Sequence, residues 1–136
     1  MRGVRQLADF EGAWRFDRRV TEAGGRVTHV AGRAVWRRDG AGLVCEEAGE
    51  MQLPGHAPMR VTRRTLWGPG LCVAFEDGRP FHQVPPGGGA VAHWCAPDQY
   101  DGHYDFGRWP DFRVDWRVRG PRKDYHMVTD YRREAP

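Results

Sequence analysis

The sequence predicts an all-β fold: a single antiparallel up-and-down barrel of about eight to ten strands, preceded by a short N-terminal helix. Three observations carry this. Short apolar runs, several of them strictly alternating, recur along the chain. The 18 Gly and 10 Pro cluster between those runs, as turn residues do. The connections are too short to hold crossover helices, so successive strands pair antiparallel. Such a chain closes as a sandwich or a barrel, and up-and-down order with short loops favours the barrel, which leaves no exposed edge.

Each element follows from local pattern. Residues 4–10 are read as a short helix, with Val4 and Leu7 spaced for one face. Gly12-Ala13-Trp14 opens a first strand that runs to about Thr21, and Gly24-Gly25 turns it. A second strand covers about residues 26–38 and ends at the hairpin signal Asp39-Gly40. A third covers 43–51, before Pro54-Gly55, and a fourth covers 59–67, before Gly68-Pro69-Gly70. In residues 71–75, Leu71, Val73 and Phe75 share one face. Asp77-Gly78 leads into a short strand at 81–84. The loop Pro85-Pro86-Gly87-Gly88-Gly89 leads to strands at 90–95 and 99–106. Phe112, Val114, Trp116 and Val118 then line one face, opposite Arg113, Asp115, Arg117 and Arg119. Gly120-Pro121 introduces a last strand at 125–132.

At 136 residues and 40% hydrophobic content, the chain has the size and apolar content of one domain, taken as residues 1–136, that packs a core without staples. The net charge is +3, and of the 21 basic residues only Lys123 is a lysine. The arginines alternate with acids, as in Arg37-Arg38-Asp39 and Arg132-Arg133-Glu134, which reads as a solvated surface and not a nucleic-acid face. Three cysteines, Cys45, Cys72 and Cys95, cannot all pair within one chain and fit no Cys-x-x-Cys motif. No apolar signal core opens the sequence and no run approaches a membrane span. The expectation is a cytoplasmic protein with reduced thiols and no membrane partner.

Gly12-Ala13-Trp14, following a short helix, resembles the Gly-x-Trp opening of lipocalins. In those barrels the Trp closes one end and an Arg from the last strand stacks on it, which implies Arg132 or Arg133 here. Asp77-Gly78-Arg79-Pro80-Phe81-His82, His93-Trp94-Cys95-Ala96-Pro97-Asp98-Gln99-Tyr100 and Trp116-Arg117-Val118-Arg119-Gly120-Pro121-Arg122-Lys123-Asp124-Tyr125 are similar to a bacterial family of lipocalin-like (calycin-like) barrels, domain of unknown function 6314. The resemblance spans nearly the whole chain and implies the fold. One position departs from it: an aromatic is expected after Arg64, and Thr65 stands there.

Several constellations bear on chemistry. His93 and Cys95 share a strand face, and with His82 and either Asp98 or His103 they compose a metal-ligand set; the alternative is a packed thiol and a hydrogen-bonded His, and no metal is assigned. No cofactor is expected, haem being the alternative through His82, His93, His103 or His126. Arg60, Thr62 and Arg64 share one face of their strand; Met59, Val61, Arg63, Thr65 and Trp67 share the other. Neither face is purely apolar, so an Arg is expected to point inward. It would need a carboxylate, from Glu47 or from a ligand. Tyr100 and Tyr104 share a face, as do Tyr125, Met127, Thr129 and Tyr131, with their hydroxyls available to a ligand or to packing. Lys123, alone among arginines, is either a solvated turn residue or a group with a shifted pKa. The chain has no Ser, which removes Ser–His–Asp chemistry, and its Gly-rich loop lacks the Lys-Ser/Thr of a phosphate loop.

The leading reading is a barrel that holds a small hydrophobic or aromatic ligand with an acidic group, in a cavity of about 300–1,000 Å3. The expected ligand-binding residues are Trp36, Arg64, Arg79, His82, His93, Tyr100, Tyr104, Trp116, Lys123 and Tyr131. No catalytic residue is assigned. The alternatives are a barrel enzyme with acid–base groups, of isomerase, cyclase or hydratase type, and an Arg-rich interaction module without an internal ligand. A homodimer is kept open, and nucleic acid is not the expected partner.

Overall fold

The computed structural model describes residues 3–135; Met1, Arg2 and Pro136, the ends of the expected domain, lie outside the described residues. A single turn of helix, α1 (Leu7–Phe10), precedes β1 (Gly12–Glu22), β2 (Val27–Asp39), β3 (Gly42–Gln52) and β4 (Met59–Gly68). A 3-10 turn (Pro69–Leu71) leads to β5 (Cys72–Phe75) and β6 (Pro80–Gln83), followed by β7 (Gly89–Cys95), β8 (Asp98–Arg108), β9 (Asp111–Arg119) and β10 (Asp124–Arg133). The helix is shorter than the 4–10 expected from sequence, with the Asp9 carboxylate accepting the Gln6 N–H at 2.7 Å at its start. Leu71 belongs to the turn, at φ 61°. No helix of the described residues is long and apolar enough to cross a membrane.

The ten strands form one antiparallel sheet in the order β6-β5-β4-β3-β2-β1-β10-β9-β8-β7. The sheet curls into a nearly closed barrel whose two end strands, β6 and β7, share no ladder. Alternation then decides what faces inward. Trp14, Phe16 and Arg18 of β1 point in, as do Thr28, Val30, Ala34 and Trp36 of β2, and Phe112, Val114, Trp116 and Val118 of β9. Glycines make room for the large rings. Gly49 faces Phe16, and a Cβ there would stand 3.2 Å from the ring and 2.5 Å from the Ala31 carbonyl oxygen. Gly102 lies beneath Trp116, where a Cβ would stand 2.7 Å from the indole.

One end of the barrel is sealed by aromatics. Phe10, fully buried, plugs it among Trp36, Trp67, Phe106, Trp109 and Phe112, at ring separations of 5.1–6.1 Å. Trp14 is also fully buried and donates its indole N–H to the Phe10 carbonyl at 2.9 Å. Arg133 lies over the Trp14 ring at 4.2 Å and donates to the Glu11 carbonyl at 3.1 Å and to that of Asp9. Of the two arginines expected for this contact, Arg133 makes it; Arg132 points outward to Asp17. Burial of so many rings supplies most of the stabilisation at this end, about 25 cal/mol per Å2 of apolar surface.

The other end is open. Its inner wall carries the half-buried Met51, Val61, Phe75, Tyr100, Tyr125 and Met127. Here β5 pairs only with residues Thr65, Leu66, Trp67 and Gly68 of β4, which leaves residues 59–64 of that strand uncovered on one side.

Candidate functional site

Between the aromatic seal and the open end lies a polar layer. Its side chains come from inward positions on six strands: Arg18 on β1, Glu47 on β3, Arg63 on β4, His82 on β6, Tyr104 on β8, and Thr129 and Tyr131 on β10. Trp36, Cys45, Thr65 and Trp116 are among the residues that join them in the wall. The cavity they enclose is about 20 Å3. This corrects the expected 300–1,000 Å3: large side chains fill the lumen, leaving room for a group the size of one water.

Glu47 accepts on both oxygens. Arg18 donates to its Oε1 at 2.9 Å and Tyr131 donates to its Oε2 at 2.5 Å. Arg18 also donates to Thr129 Oγ1 at 2.8 Å and to Tyr131 Oη at 3.2 Å. Burial alone would push the Glu47 carboxyl up, but Arg63 and Arg18, with the Tyr131 hydroxyl, overcome it and hold the pKa below its usual value. The group is therefore an ionised acceptor, with one hydrogen bond on each oxygen. Cys45, pushed up by burial and by Glu47, is a thiol with no tendency to ionise.

Arg63 is the odd charge. Its guanidinium stands within the field of Glu47, Tyr131, Cys45 and Tyr104, yet the residue is exposed where β5 leaves β4 uncovered. Among the described residues no carboxylate comes within 4.0 Å of it and it makes no hydrogen bond. The polar layer thus holds two cations, Arg18 and Arg63, against one carboxylate.

Two further polar atoms on the same wall lack partners. The Trp36 indole N–H and His82 Nδ1 are both buried without a hydrogen bond among the described residues. The other ring nitrogen, His82 Nε2, lies 2.8 Å from Tyr104 Oη. His82 also packs against Trp116 at 4.9 Å. Burial, the Arg63 charge and His93 together lower its pKa to about 3, so the imidazole is neutral at physiological pH. Unsatisfied buried polar atoms are rare enough in native proteins to require a physical account.

The sequence-predicted residues divide into three groups. Trp36, His82, Tyr104, Trp116 and Tyr131 come together around the cavity. His93 and Tyr100 face inward nearer the open end, with ring centroids 6.0 Å apart, and Lys123 sits exposed at the rim, donating to Tyr100 Oη at 3.2 Å and pairing with Asp98 at 3.1 Å. Arg64 and Arg79 lie outside: Arg64 pairs with Glu46 at 2.9 Å, and Arg79 pairs with Asp77 at 2.7 Å. Strand parity is the reason for Arg64, since the register that places Thr65 and Trp67 inward turns Arg64 to solvent. The inward arginine on that strand is Arg63. Of the four histidines considered for haem, His103 and His126 are exposed. No three His, Cys, Asp or Glu side chains gather at metal-binding geometry among the described residues. Arg18 was missed, although Trp14, Phe16 and Arg18 alternate on one face of β1 and mark it as inward.

A family described as of unknown function (DUF6314) matches residues 10–133, and the chain belongs to that family. No curated protein matches the sequence. Among solved structures, the S-type phycobiliprotein lyase of Guillardia theta superposes with a TM-score of 0.70 at 9% identity, over 98% of this chain and 96% of that chain. At that identity the likeness shows the fold: a lipocalin-like antiparallel barrel.

Proposed function

We propose that the barrel binds a small organic acid, carboxylate first. Arg63 is the anchor, and the apolar body of the ligand rests in the open end among Met51, Val61, Phe75, Tyr125 and Met127. The observation that carries this reading is the Arg63 guanidinium, which has no carboxylate within 4.0 Å among the described residues, beside a Glu47 carboxylate that hydrogen-bonds Arg18 and Tyr131 instead. Arg63 is exposed at the open end, so its guanidinium is accessible to a charge-assisted pair with an incoming carboxylate. The cavity of about 20 Å3 has room for one water-sized group, so at most a single carboxylate oxygen enters it and the body of the ligand stays in the open end, where two methionines adapt to irregular shapes. That a barrel of this architecture serves as a phycobiliprotein lyase elsewhere supports a use centred on the barrel. A general-acid role for His82 is disfavoured, because burial lowers its pKa to about 3 and it carries no dissociable extra proton near neutrality.

The test is calorimetric titration of the full chain with aromatic and aliphatic carboxylates. Arg63→Met is expected to abolish binding, while Arg64→Met, one residue along on the outer face, leaves it unchanged. Equal binding by wild type and Arg63→Met would overturn the reading.

A further inference from the structure

The open end is not uniform around its wall. On the side of β5 to β9, aromatic rings meet across the line where β6 and β7 share no ladder. Trp116, Phe81 and Phe75 form a parallel stack, with centroids 5.0 and 4.5 Å apart and planes inclined by 18° at each step. Exposure rises along it, from the buried Trp116 to the half-buried Phe75, whose second face lies under the Arg79 guanidinium at 5.4 Å. From β3 and β4 come Met51 and Val61 instead, which carry no ring.

The stack decides how its neighbours are oriented. Phe81 has ring partners on both faces, so a ring perpendicular to it meets its edge. His93 does so at 5.3 Å and 80°. Phe75, also covered on both faces, lies 5.7 Å from His93 at 63°. One face of the His93 imidazole therefore receives two ring edges, the edge-to-face arrangement that ring quadrupoles prefer. Among the described residues no ring stacks parallel on its other face; Tyr100 stands beside it, tilted by 55° at 6.0 Å. His93 is half-buried, so that second face is reached from the open end. Arg63 stands next to this wall. Thr65 pairs with Phe75, and Arg63 is the next residue on the same face of β4. Arg63 and Phe75 are thus diagonal neighbours on the inner face, about 7–8 Å apart, a gap that one ring carrying a carboxylate spans.

We propose that the acid held by Arg63 is a planar aryl carboxylate, and that His93 selects it by stacking its free imidazole face on the ligand ring. This rests on the carboxylate-binding reading given above and narrows it. A flat ring lies along the imidazole while its carboxylate reaches Arg63. A saturated ring on the same carbon skeleton is puckered, carries hydrogens above and below its mean plane, and has no π system to pair with the imidazole. It keeps the contact to Arg63 and loses the stacking. His93 is therefore a specificity-determining residue: Arg63 requires that the ligand be an acid, and His93 distinguishes one acid from another.

The test uses the full chain and two acids matched in carbon skeleton and charge, benzoate and cyclohexanecarboxylate. In calorimetric titration, wild type is expected to favour benzoate about two- to tenfold, the worth of one aromatic pair. Equal affinity, or a preference for the saturated acid, would overturn the proposal and leave the Arg63 anchor standing; binding of neither acid would overturn both. His93→Leu is expected to bind the two acids with a ratio near one, and retention of the wild-type ratio would overturn the role of His93. In spectra of histidine-labelled protein, benzoate is expected to shift the His93 ring protons upfield and to show through-space contacts to them, and cyclohexanecarboxylate to give no such ring-current shift. Absence of the shift at saturating benzoate would overturn the stacking. If His93→Leu does not fold, the wild-type ratio and the His93 resonances still decide the matter.

Discussion

Acidification from pH 7 to pH 5 is expected to weaken the folded state through His82. In the unfolded chain this histidine titrates near 6.5; in the barrel its pKa is lowered to about 3 by burial, by Arg63 and by His93. The sign follows from proton binding. Below 6.5 the unfolded chain takes up a proton that the folded chain refuses, so stability is full above 6.5, falls as the pH drops, and levels out near 3. The slope is about 1.4 kcal/mol per pH unit, which comes to about 2 kcal/mol between pH 7 and pH 5. That is a sizeable share of the 5–15 kcal/mol typical of a domain. The carboxylates held low by arginine side chains, Glu46 and Glu134, and Asp77, held low first by the Arg79 backbone N–H, act only below their ordinary range near 4, outside this window. Urea unfolding at half-unit steps, in wild type and His82→Asn, isolates the effect: the variant should lose this slope whatever its stability at pH 7. Parallel curves for the two proteins would refute the placement of a neutral, buried imidazole at this site.

Glu47→Ala removes the shared counter-charge of Arg18 and Arg63 and is expected to cost about 3–5 kcal/mol in denaturant unfolding. Glu46→Ala, one residue along on the outer face, should change stability little, and similar losses for the two would contradict the inward assignment of Glu47. Arg133→Ala removes the cation over Trp14 and two donors to the Asp9 and Glu11 carbonyls, for an expected loss of about 1–2 kcal/mol. Thermal unfolding followed by tryptophan fluorescence checks it, and an unchanged transition would show that the aromatic seal holds without its arginine.

The fold was legible because its signals are local. Turn residues marked nearly every strand boundary, and the Gly-x-Trp opening with an arginine near the C-terminus pointed to the sealed end. The helix was overextended because Val4 and Leu7 mimic one helical face, whereas the chain turns helical only from Leu7. The site was half legible. Tyr104, Trp116 and Tyr131 stand on strands whose alternation is clear. The strand at 59–67 mixes charge on both faces, so parity had to be fixed from elsewhere. Thr65 and Trp67 are buried, which decides it for Arg63 and against Arg64. Glu47 was recognised as a partner for an inward arginine, but its main partner, Arg18, lies on the far neighbour of β2. Arg18 and Glu47 meet over β2, the strand that β1 and β3 flank, and no short-range pattern encodes that pairing. The narrow cavity was also beyond reach, since it depends on how the rings interdigitate.

The missing ladder between β6 and β7 has a mechanical consequence. Topologically the barrel is a ten-stranded open sheet with its termini paired at the centre, as β1 and β10, and its two outer edges tethered by the short connection at residues 84–88. Parting those edges breaks no backbone hydrogen bond. What resists it is side-chain stitching: Phe81 stacked on Trp116 at 5.0 Å and His82 bonded to Tyr104. The wall can therefore hinge along this line while the other nine ladders stay intact, and the imidazole that lines the cavity is also one of the fastenings that hold it shut.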